Sequence, residues 1–333
     1  MIRPVPQLAL NMALLLTCCV LVVISLVLGY TPIPAGEVLR GLAGLADPKT
    51  VTIVKDLRLP RTALALLIGG SLGLSGAALQ GLLQNPLAEP GVVGVSSAAA
   101  FGAVLVIYFG LAATSSWTLP LSGMAGALAA TTILWALAVR GAAKLTLLLT
   151  GVAIGGLSIA LISLVMNLSS NPWAISEIAF WLMGSLKDRT LSDLGLAAPF
   201  ILIGCAMLIA SGGGLEALTL GEDTARSLGT PVNRVRMQVV LGTSLCVGAG
   251  VSVAGAVGFV GLIVPHLLRA FTDHAPARLL LPSALGGAAL LLMADIAIRL
   301  IAVGPELQLG VVTSLIGAPF FFTLIFRLQG EQA

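Results

Sequence analysis

Charged residues are scarce in this sequence, and that scarcity excludes most soluble folds. Of the 333 residues only 9% are charged and 5% are aromatic, whereas 58% are hydrophobic, and the mean hydropathy is +1.07. A soluble domain has about 25% charged residues and about 45–50% apolar ones. The net charge is only +3, and the basic residues are scattered between apolar runs. We therefore expect no nucleic-acid partner.

Patterns for binding metals or nucleotides are also missing. The four cysteines, Cys18, Cys19, Cys205 and Cys246, lie inside apolar runs without the spacing of metal ligands, so they are expected to pack as small hydrophobic side chains. The phosphate-binding pattern G-x-x-x-x-G-K-[ST] does not occur. We expect no metal, no cofactor, no ATP binding by this chain and no enzymatic activity of its own.

Long uncharged runs are what the sequence does contain. A run of about 20 apolar residues crosses a bilayer as a helix, and these runs are too long and too uniform for barrel strands. The first run exceeds the 7–15 apolar residues of a signal peptide, so we interpret it as a retained span. The sequence predicts an all-α polytopic membrane protein with a single transmembrane domain over residues 1–333. The runs are Leu8–Tyr30, Thr62–Leu83, Gly91–Ala113, Trp117–Val139, Leu145–Leu168, Leu194–Leu215, Met237–Leu268, Leu279–Ile298 and Leu307–Phe326.

The run Met237–Leu268 is too long for one crossing and too short for two. As one helix its 32 residues would reach about 48 Å, against a hydrocarbon core of about 30 Å. Several glycines offer places to turn, and Pro265 is disfavoured in a helix interior. We predict one full span followed by a short, broken helix. The total is then about ten transmembrane helices, with both termini on one side.

A polar segment, LTLGEDTARSLGTPVNRVR at 218–236, interrupts the apolar pattern. Glu222 and Asp223 would lie in a first helical turn, where the helix dipole favours acids. Arg226 follows Glu222 by four residues, the spacing and order of a favourable ion pair.

The same segment carries signals for the end of one helix and the start of another. Gly229 would stop the first helix, Thr230 would cap the second, and Pro231 would be its first residue. This predicts two short helices with a tight corner at 221–236, outside the bilayer. An ordinary capped loop that keeps positive charge in the cytoplasm is the alternative.

Several stretches together resemble the FecCD family of ABC importer permeases, which import iron chelates, haem and cobalamin. The resemblance runs through nearly the whole chain, in the order of the family's motifs. The stretches are LRLPR at 57–61, GAALQGLLQNPLAEPGVVGVSS at 76–97, GEDTARSLG at 221–229, GFVGLIVPHLLR at 258–269, ADIAIRL at 294–300 and GVVTSLIGAPFF at 310–321.

This resemblance implies partners and a location. Such permeases form homodimers in the bacterial inner membrane, with the pathway between the two copies, two copies of an ABC ATPase and a periplasmic substrate-binding protein. The segment 221–236 would be the coupling helices that rest on the ATPase. The matching coupling residues are Glu222, Asp223, Ala225, Arg226, Leu228 and Gly229.

The resemblance also implies two further sites and a helix. Arg58, Arg61 and Arg299 match positions that bind carboxylates of the binding protein. Anchoring of a helix end at the membrane interface is the alternative for Arg58 and Arg61, and also for Arg299, which ends a span. Asn85 and Leu87, in NPLAEPG, match a cytoplasmic gate, although two prolines also make a simple turn between spans.

Residues 171–189 match a periplasmic amphipathic helix beside the outer mouth of the pathway, although membrane anchoring would also explain its tryptophans. His266 could ligate haem iron, but capping a helix end is the commoner role of such a residue.

The expected function is thus a permease subunit for an iron chelate, either a ferric siderophore or haem, with cobalamin as the alternative cargo. An ion-coupled secondary transporter is the alternative of a different class. Such transporters keep ionisable groups in their spans, and Asp295 is the only clear acid inside an apolar run. A purely structural scaffold would leave the broken helix and the capped segment without a reason.

Overall fold

The computed structural model describes residues 6–29, 31–91, 94–115, 117–301 and 306–330, without the side chains of Lys144 and of residues 324–330. These residues are almost entirely helical, and they contain no strand. A π-helical turn, Ile53–Arg58, leads into α4, and a 3₁₀ turn, Leu111–Ala113, follows α5. The helices are α1 (Gln7–Val27), α2 (Ala35–Ala43), α3 (Pro48–Thr52), α4 (Leu59–Leu83), α5 (Val95–Tyr108), α6 (Thr118–Val139), α7 (Lys144–Leu168), α8 (Pro172–Leu182), α9 (Leu191–Ala210), α10 (Gly212–Leu218), α11 (Glu222–Ser227), α12 (Val232–Ala254), α13 (Val260–Arg269), α14 (Pro276–Ile301) and α15 (Leu309–Gly330).

The described part of the chain contains seven helices long and apolar enough to cross a membrane. They are α1, α4 with the turns before it, α6, α7, α9, α12 and α14. Three shorter apolar helices, α5, α13 and the first part of α15, bring the number to ten. This agrees with the predicted all-α membrane fold of about ten crossings.

The long run at 237–268 breaks as the sequence predicted. Helix α12 ends at Ala254, and Gly255 follows with φ +71°. Phe259 also has a positive φ, +67°, immediately before the short helix α13. Pro265 lies inside α13, so the expectation that it avoids a helix interior is wrong. Because proline has no N–H, the carbonyl four residues earlier lacks its helical donor, and the Gln80 side chain donates to that carbonyl of Gly261 at 3.3 Å.

Glycines bring α4 unusually close to two neighbours at the centre of the bundle. A Cβ added to Gly73 would lie 2.1 Å from the Ser283 carbonyl oxygen of α14, and one added to Gly76 would lie 1.9 Å from the Gly261 carbonyl oxygen of α13. Only glycine permits such backbone contact, which membrane helices use to pack tightly. Gly69 meets Gly287 of α14 in the same way.

The helices at the periphery expose apolar side chains. Helix α1 packs mainly against α14 and, like α7, buries only a small part of its surface. The buried residues of α1 are Cys18 in its middle, which packs against Ala288 and Ala289 of α14, and Ser25 and Leu26 near its C-terminal end. Apolar surface of this kind is expected where lipid or another membrane helix is the neighbour.

Candidate coupling, gate and docking sites

The helix predicted at the start of the polar segment is present as α11. Glu222 and Asp223 occupy its first turn. Arg226 Nη2 lies 2.6 Å from Glu222 Oε1, so the predicted ion pair between residues four apart is confirmed. Both side chains are partly exposed, and exposed pairs of this kind contribute only about 0.3–0.5 kcal/mol.

The end of α11 is set by Gly229, as predicted. Gly229 has φ +80°, and its N–H donates to the Arg226 carbonyl at 2.9 Å, while the N–H of Thr230 donates to the Ala225 carbonyl at 3.0 Å. This pair of bonds is a Schellman motif, which satisfies the last carbonyls of a helix. The predicted start of the next helix is wrong by one residue, because α12 begins at Val232 and no side chain caps it.

The second short helix of the predicted pair does not exist as a separate element. Residues 232–236 are the first turns of α12, which continues without a break to Ala254. No glycine or proline lies between 232 and 241, so nothing in the sequence interrupts the helix there. The segment 221–236, predicted to contact the ATPase and here called the coupling segment, is therefore one short helix joined by a tight turn to a membrane span.

Arg236 of α12 stabilises this turn from the buried side through an ion pair with Glu222. Its side chain is only 7% exposed, and its Nη2 lies 2.8 Å from Glu222 Oε2. The two oxygens of Glu222 thus hold Arg226 of α11 and Arg236 of α12. A carboxylate held by two arginines fixes the angle between the two helices more firmly than a single exposed pair would.

The outer face of the coupling segment is partly apolar. Leu220 and Leu228 are 61% and 64% exposed, whereas Ala225 is fully buried. A groove of about 460 Å³ lies beside Leu228 and reaches Gly213 and Arg234. Exposed leucines among charged side chains, next to a groove, are typical of a contact surface for another protein.

The turn that carries Asn85 and Leu87 follows α4. The side-chain oxygen of Asn85 accepts a hydrogen bond from the N–H of Leu87 at 2.9 Å, and its carbonyl accepts one from the N–H of Ala88 at 3.1 Å. Both residues are half-buried. We call residues 85–88 the gate turn, after the role that the family resemblance predicts for Asn85 and Leu87.

Side chains on either side of the gate turn contact other elements. Before it, Gln84 Nε2 donates to the carbonyl of Leu218, the last residue of α10, at 2.6 Å. After it, the Glu89 carboxylate accepts a hydrogen bond from the N–H of Phe259, directly before α13.

Arg58 and Arg299 lie close together at the other end of the bundle, which we call the arginine end. Both side chains are buried, with 6% and 7% exposure. Arg58 Nη1 donates to the carbonyls of Leu26 and Val27, each at 2.8 Å. Arg299 Nη1 donates to the carbonyls of Ser25 at 2.8 Å and of Leu28 at 3.1 Å. Two guanidinium groups thus satisfy the carbonyls at the C-terminal end of α1, where cations are favourable.

Arg61 belongs to an ion-pair cluster at the same end. Its Nε lies 2.8 Å from Asp295 Oδ1, and its Nη2 contacts Glu306. Arg299 Nη2 lies 2.9 Å from the other oxygen of Asp295. A cavity of about 230 Å³, open to the surface, is lined by Arg58, Arg61, Arg299 and Glu306 together with Lys187 and Asp188.

The other regions singled out in the sequence are also described. Residues 172–182 form α8, with Ile178 fully buried and Trp173 84% exposed. The predicted helix over 171–189 is therefore wrong in its C-terminal bound, because the helix ends at Leu182. The ring of His266 lies edge-on to Phe320, 5.7 Å between centroids. Within the described ranges no three His, Cys, Asp or Glu side chains cluster as metal ligands would.

Comparisons with known proteins decide the family. The profile of the FecCD transport family matches residues 16–327. The chain belongs to this family. It is 40% identical over 324 residues to an uncharacterised ABC transporter permease protein, YvrB of Bacillus subtilis, with 91% of this chain and 90% of that protein covered. It is 39% identical to the vitamin B12 import system permease protein BtuC of Shigella boydii, with 96% of each covered.

A solved structure agrees with this assignment. It is described as an inward-facing conformation of a metal-chelate type ABC transporter, and it superposes with a TM-score of 0.85 at 31% identity, covering 95% of this chain and 98% of that one. This FecCD chain is therefore an ABC importer permease, a transporter subunit with many spans in the bacterial inner membrane, and its family is not one of enzymes.

Three side chains of these regions were not anticipated from the sequence. Arg236 shares its helical stripe with the buried Val232 and Val239, and this position on the apolar face was the available signal. Gln84 and Glu89 act on backbone atoms of distant elements. Nothing in the spacing of residues along the chain indicates such contacts.

Proposed function

We propose that this FecCD chain is the homodimeric permease of an importer for a metal chelate, driven by two copies of a separate ABC ATPase and supplied by a periplasmic substrate-binding protein. The coupling segment 221–236 contacts the ATPase, the gate turn closes the cytoplasmic side, and the cavity at the arginine end receives the binding protein. ATP-dependent closure of the ATPase shifts the permease between outward- and inward-facing states.

One observation carries this proposal, namely the rigid attachment of the coupling segment to a membrane span. Glu222 holds Arg226 and Arg236 at once, so a displacement of α11 is passed to α12 rather than absorbed in a loop. The exposed Leu220 and Leu228 supply apolar contact area for the ATPase. The same segment places Asp223 in the first turn of α11 and buries Ala225 on its inner side. It ends α11 at Gly229.

Docking of the binding protein is proposed at the cavity of the arginine end. The guanidinium groups of Arg58, Arg61 and Arg299 line this cavity, and Lys187 adds a further positive charge. Arginine binds carboxylates with two parallel hydrogen bonds and stays charged. Because the three guanidiniums already hold intramolecular partners, an incoming carboxylate would join the existing network at its open side.

Exposed apolar surface supports a dimer. Leu149 and Leu157 of α7 and Leu315 of α15 are each more than half exposed. A second copy packed on these helices would cover this surface and enclose a pathway. The amphipathic segment 171–189 then lies beside the outer mouth, on the periplasmic side.

An ion-coupled transporter is the weaker alternative. Asp295, the acid on which that reading depended, is held by Arg61 and Arg299 at 2.8 and 2.9 Å. Proton relays use acids that exchange protons during the cycle, whereas this carboxylate is engaged in ion pairs with two arginines.

Two kinds of cargo remain within the metal-chelate class. The sequence led us to expect an iron chelate, either a ferric siderophore or haem. Cobalamin, itself a metal chelate, is favoured by the similarity to BtuC, a permease of vitamin B12 import. Cargo selection then rests largely with the binding protein, because the gate turn and the apolar helices contain no recognisable cargo pattern.

The test is affinity purification of the tagged chain from its native membrane under gentle conditions. We expect an ABC ATPase in equal copy number, and repeated recovery without an ATPase would overturn the importer assignment. The genetically or physically associated binding protein is then titrated with cyanocobalamin, haemin and a ferric siderophore. Tight binding of only one of them names the cargo.

A further inference from the structure

The gate turn is flanked by two hydrogen bonds, one to α10 and one to the residue before α13. On one side Gln84 Nε2 donates to the Leu218 carbonyl of α10 at 2.6 Å. On the other side the Glu89 carboxylate accepts the N–H of Phe259 at the start of α13. Gln84 and Glu89 are separated only by the four residues 85–88 of the gate turn. Both contacts therefore act on the same short piece of backbone.

We propose that Gln84 and Glu89 are positioning residues of the gate, through which displacement of the coupling segment reaches Asn85 and Leu87. This inference rests on the proposed function, in which 221–236 contacts an ATPase and 85–88 closes the pathway. It adds the physical connection between the two sites, which neither assignment supplies.

The contact of Gln84 joins the gate turn directly to the coupling segment. The Leu218 carbonyl that accepts from Gln84 also accepts from the N–H of Gly221 at 3.2 Å, and α11 begins at the next residue, Glu222. One oxygen atom is therefore shared by the two sites. Any rotation of α11 that moves this carbonyl changes the bond to Gln84.

Gln84 is also held in an unusual backbone conformation. Its φ is +50°, in the left-handed region that residues with a Cβ seldom adopt. Here α4 ends, and the chain leaves it toward the gate turn. The side-chain bond to Leu218 offsets the cost of this conformation, so the direction in which the chain leaves α4 depends on the position of α10.

The contact of Glu89 holds the far side of the gate turn to a rigid support. Helix α13 is packed backbone to backbone against α4 at Gly76 and Gly261. At its other end Arg269 Nη2 donates to the side chain of Gln80 in α4. Because α13 and α4 are fixed to each other at two levels, residue 89 and the end of α4 stay in place, and the side chain of Gln84 is the part that follows α10.

In this proposal the gate turn takes two arrangements, which differ in the contact between the Gln84 side chain and the Leu218 carbonyl, and both sites bias the choice between them. Such a two-state element is the physical basis for coupling at a distance, in contrast to mere proximity along a path. Loss of either contact is expected to uncouple the gate from the ATPase while the complex still assembles.

The experiment measures gate movement directly in the permease–ATPase complex reconstituted in lipid. Leu87→Cys places a thiol in the gate turn, and its rate of reaction with a water-soluble maleimide is compared without nucleotide and with ATP under conditions that block hydrolysis. The parent complex, with its native cysteines, gives the background. A nucleotide-dependent change in this rate reports transmission to the gate, and it requires no cargo.

Gln84→Gly removes the side chain and keeps the left-handed backbone accessible. We expect it to reduce the nucleotide-dependent change in rate by about two- to tenfold, the factor that corresponds to one hydrogen bond. Glu89→Ala is expected to act likewise. Gln84→Lys, which keeps a donor, and Glu89→Gln, which keeps an acceptor, should retain the nucleotide-dependent change in labelling rate. A purely structural role would not predict this difference between the conservative variants and the truncated ones.

Gln7→Ala is the matched control. Gln7 Nε2 donates to the Arg278 carbonyl at 3.1 Å, which is the same kind of bond between an exposed glutamine and a helix carbonyl. Its loss should leave the nucleotide-dependent change intact.

The outcomes separate the two levels of the proposal. If the background complex forms but Leu87→Cys shows no nucleotide-dependent change, the gate assignment is wrong, and this inference fails with it. If the change is present and Gln84→Gly and Glu89→Ala retain it in full, only the positioning role is wrong. If Gln84→Gly and Glu89→Ala lose the nucleotide-dependent change and Gln84→Lys and Glu89→Gln lose it as well, the effect is structural. The inference is then also overturned.

Discussion

Replacing Arg299 with alanine separates a structural role from a docking role at the arginine end. Arg299 ion-pairs with Asp295 and donates to the carbonyls of Ser25 and Leu28. The substitution therefore removes one of the two partners of a buried acid and leaves the C-terminal end of α1 without two donors. Arg61 stays in place beside Asp295.

The magnitude follows from these contacts. Removing one partner of a buried ion pair costs about 3–5 kcal/mol, and the remaining Arg61 keeps the cost at the lower end. We expect a loss of about 3 kcal/mol in the free energy of unfolding. At about 2 °C per kcal/mol for a chain of this size, the thermal midpoint falls by about 6 °C.

The assay is thermal unfolding of the purified permease in detergent, without the binding protein. Arg40→Ala is the control, because Arg40 forms an exposed pair with Glu37 at 2.8 Å that is worth at most about 0.5 kcal/mol. The reasoning is refuted if Arg299→Ala melts within about 1 °C of the parent. An accompanying loss of affinity for the binding protein would then show that docking is its whole role.

Three further predictions, one of them with a paired control substitution, test the packing and the coupling segment. Gly76→Ala places a Cβ 1.9 Å from the Gly261 carbonyl oxygen and should lower the free energy of unfolding by about 1–3 kcal/mol. Gly195→Ala, with open space around it, should stabilise α9 by up to about 1 kcal/mol. Equal shifts of the thermal midpoint in the two variants would contradict the close crossing of α4 and α13. Glu222→Gln weakens both ion pairs of the coupling segment, so we expect ATP hydrolysis to persist while cargo moved per ATP falls severalfold; an unchanged ratio in proteoliposomes counts against a rigid segment. Leu228→Asp changes an exposed side chain, so stability should stay within about 0.5 kcal/mol. Binding of the ATPase should weaken at least about tenfold, because a charge would be buried against the partner without a counter-ion; retained binding in a titration would move the interface elsewhere.

Leu228 and Glu222 are better probes of coupling than the buried Ala225. A bulky residue at Ala225 or Gly229 is also expected to uncouple hydrolysis from uptake while membrane insertion stays intact. Ala225 is fully buried, however, and Gly229 has φ +80°. Substitution at either position therefore disturbs the packing or the backbone of α11 as well as its contact with a partner.

The spans and the helix α11 could be predicted because their signals are local. An uncharged run, a glycine with positive φ such as Gly229, and an acid in a first turn each depend on neighbours along the chain. The break after Ala254 was predictable for the same reason. The continuity of α12 through residues 232–236 was missed because the polar arginines there suggest an end of the helix, although nothing in the backbone stops it.

The arrangement of the arginine end could not be predicted, because its contacts are distant in sequence. The hydrogen bond between Arg299 and the Ser25 carbonyl joins residues 274 apart, and that between Arg58 and the Leu26 carbonyl joins residues 32 apart. An arginine near the end of a span looks the same in the sequence whether it faces water or completes a neighbouring helix. Only the folded packing of α1 against α14 decides between the two.

The pairing of α1 with α14 also sets the order in which the bundle can be completed. Helix α1 is the first of these helices to be synthesised, yet the arginine that closes its end comes from one of the last. At about 5–20 residues per second, the 274 residues between Ser25 and Arg299 take about 14–55 s to synthesise. Throughout that interval α1 resides in lipid without its main neighbour, which its wholly uncharged sequence permits. Newly made chains that stop short of α14 thus have a first helix without its main packing partner.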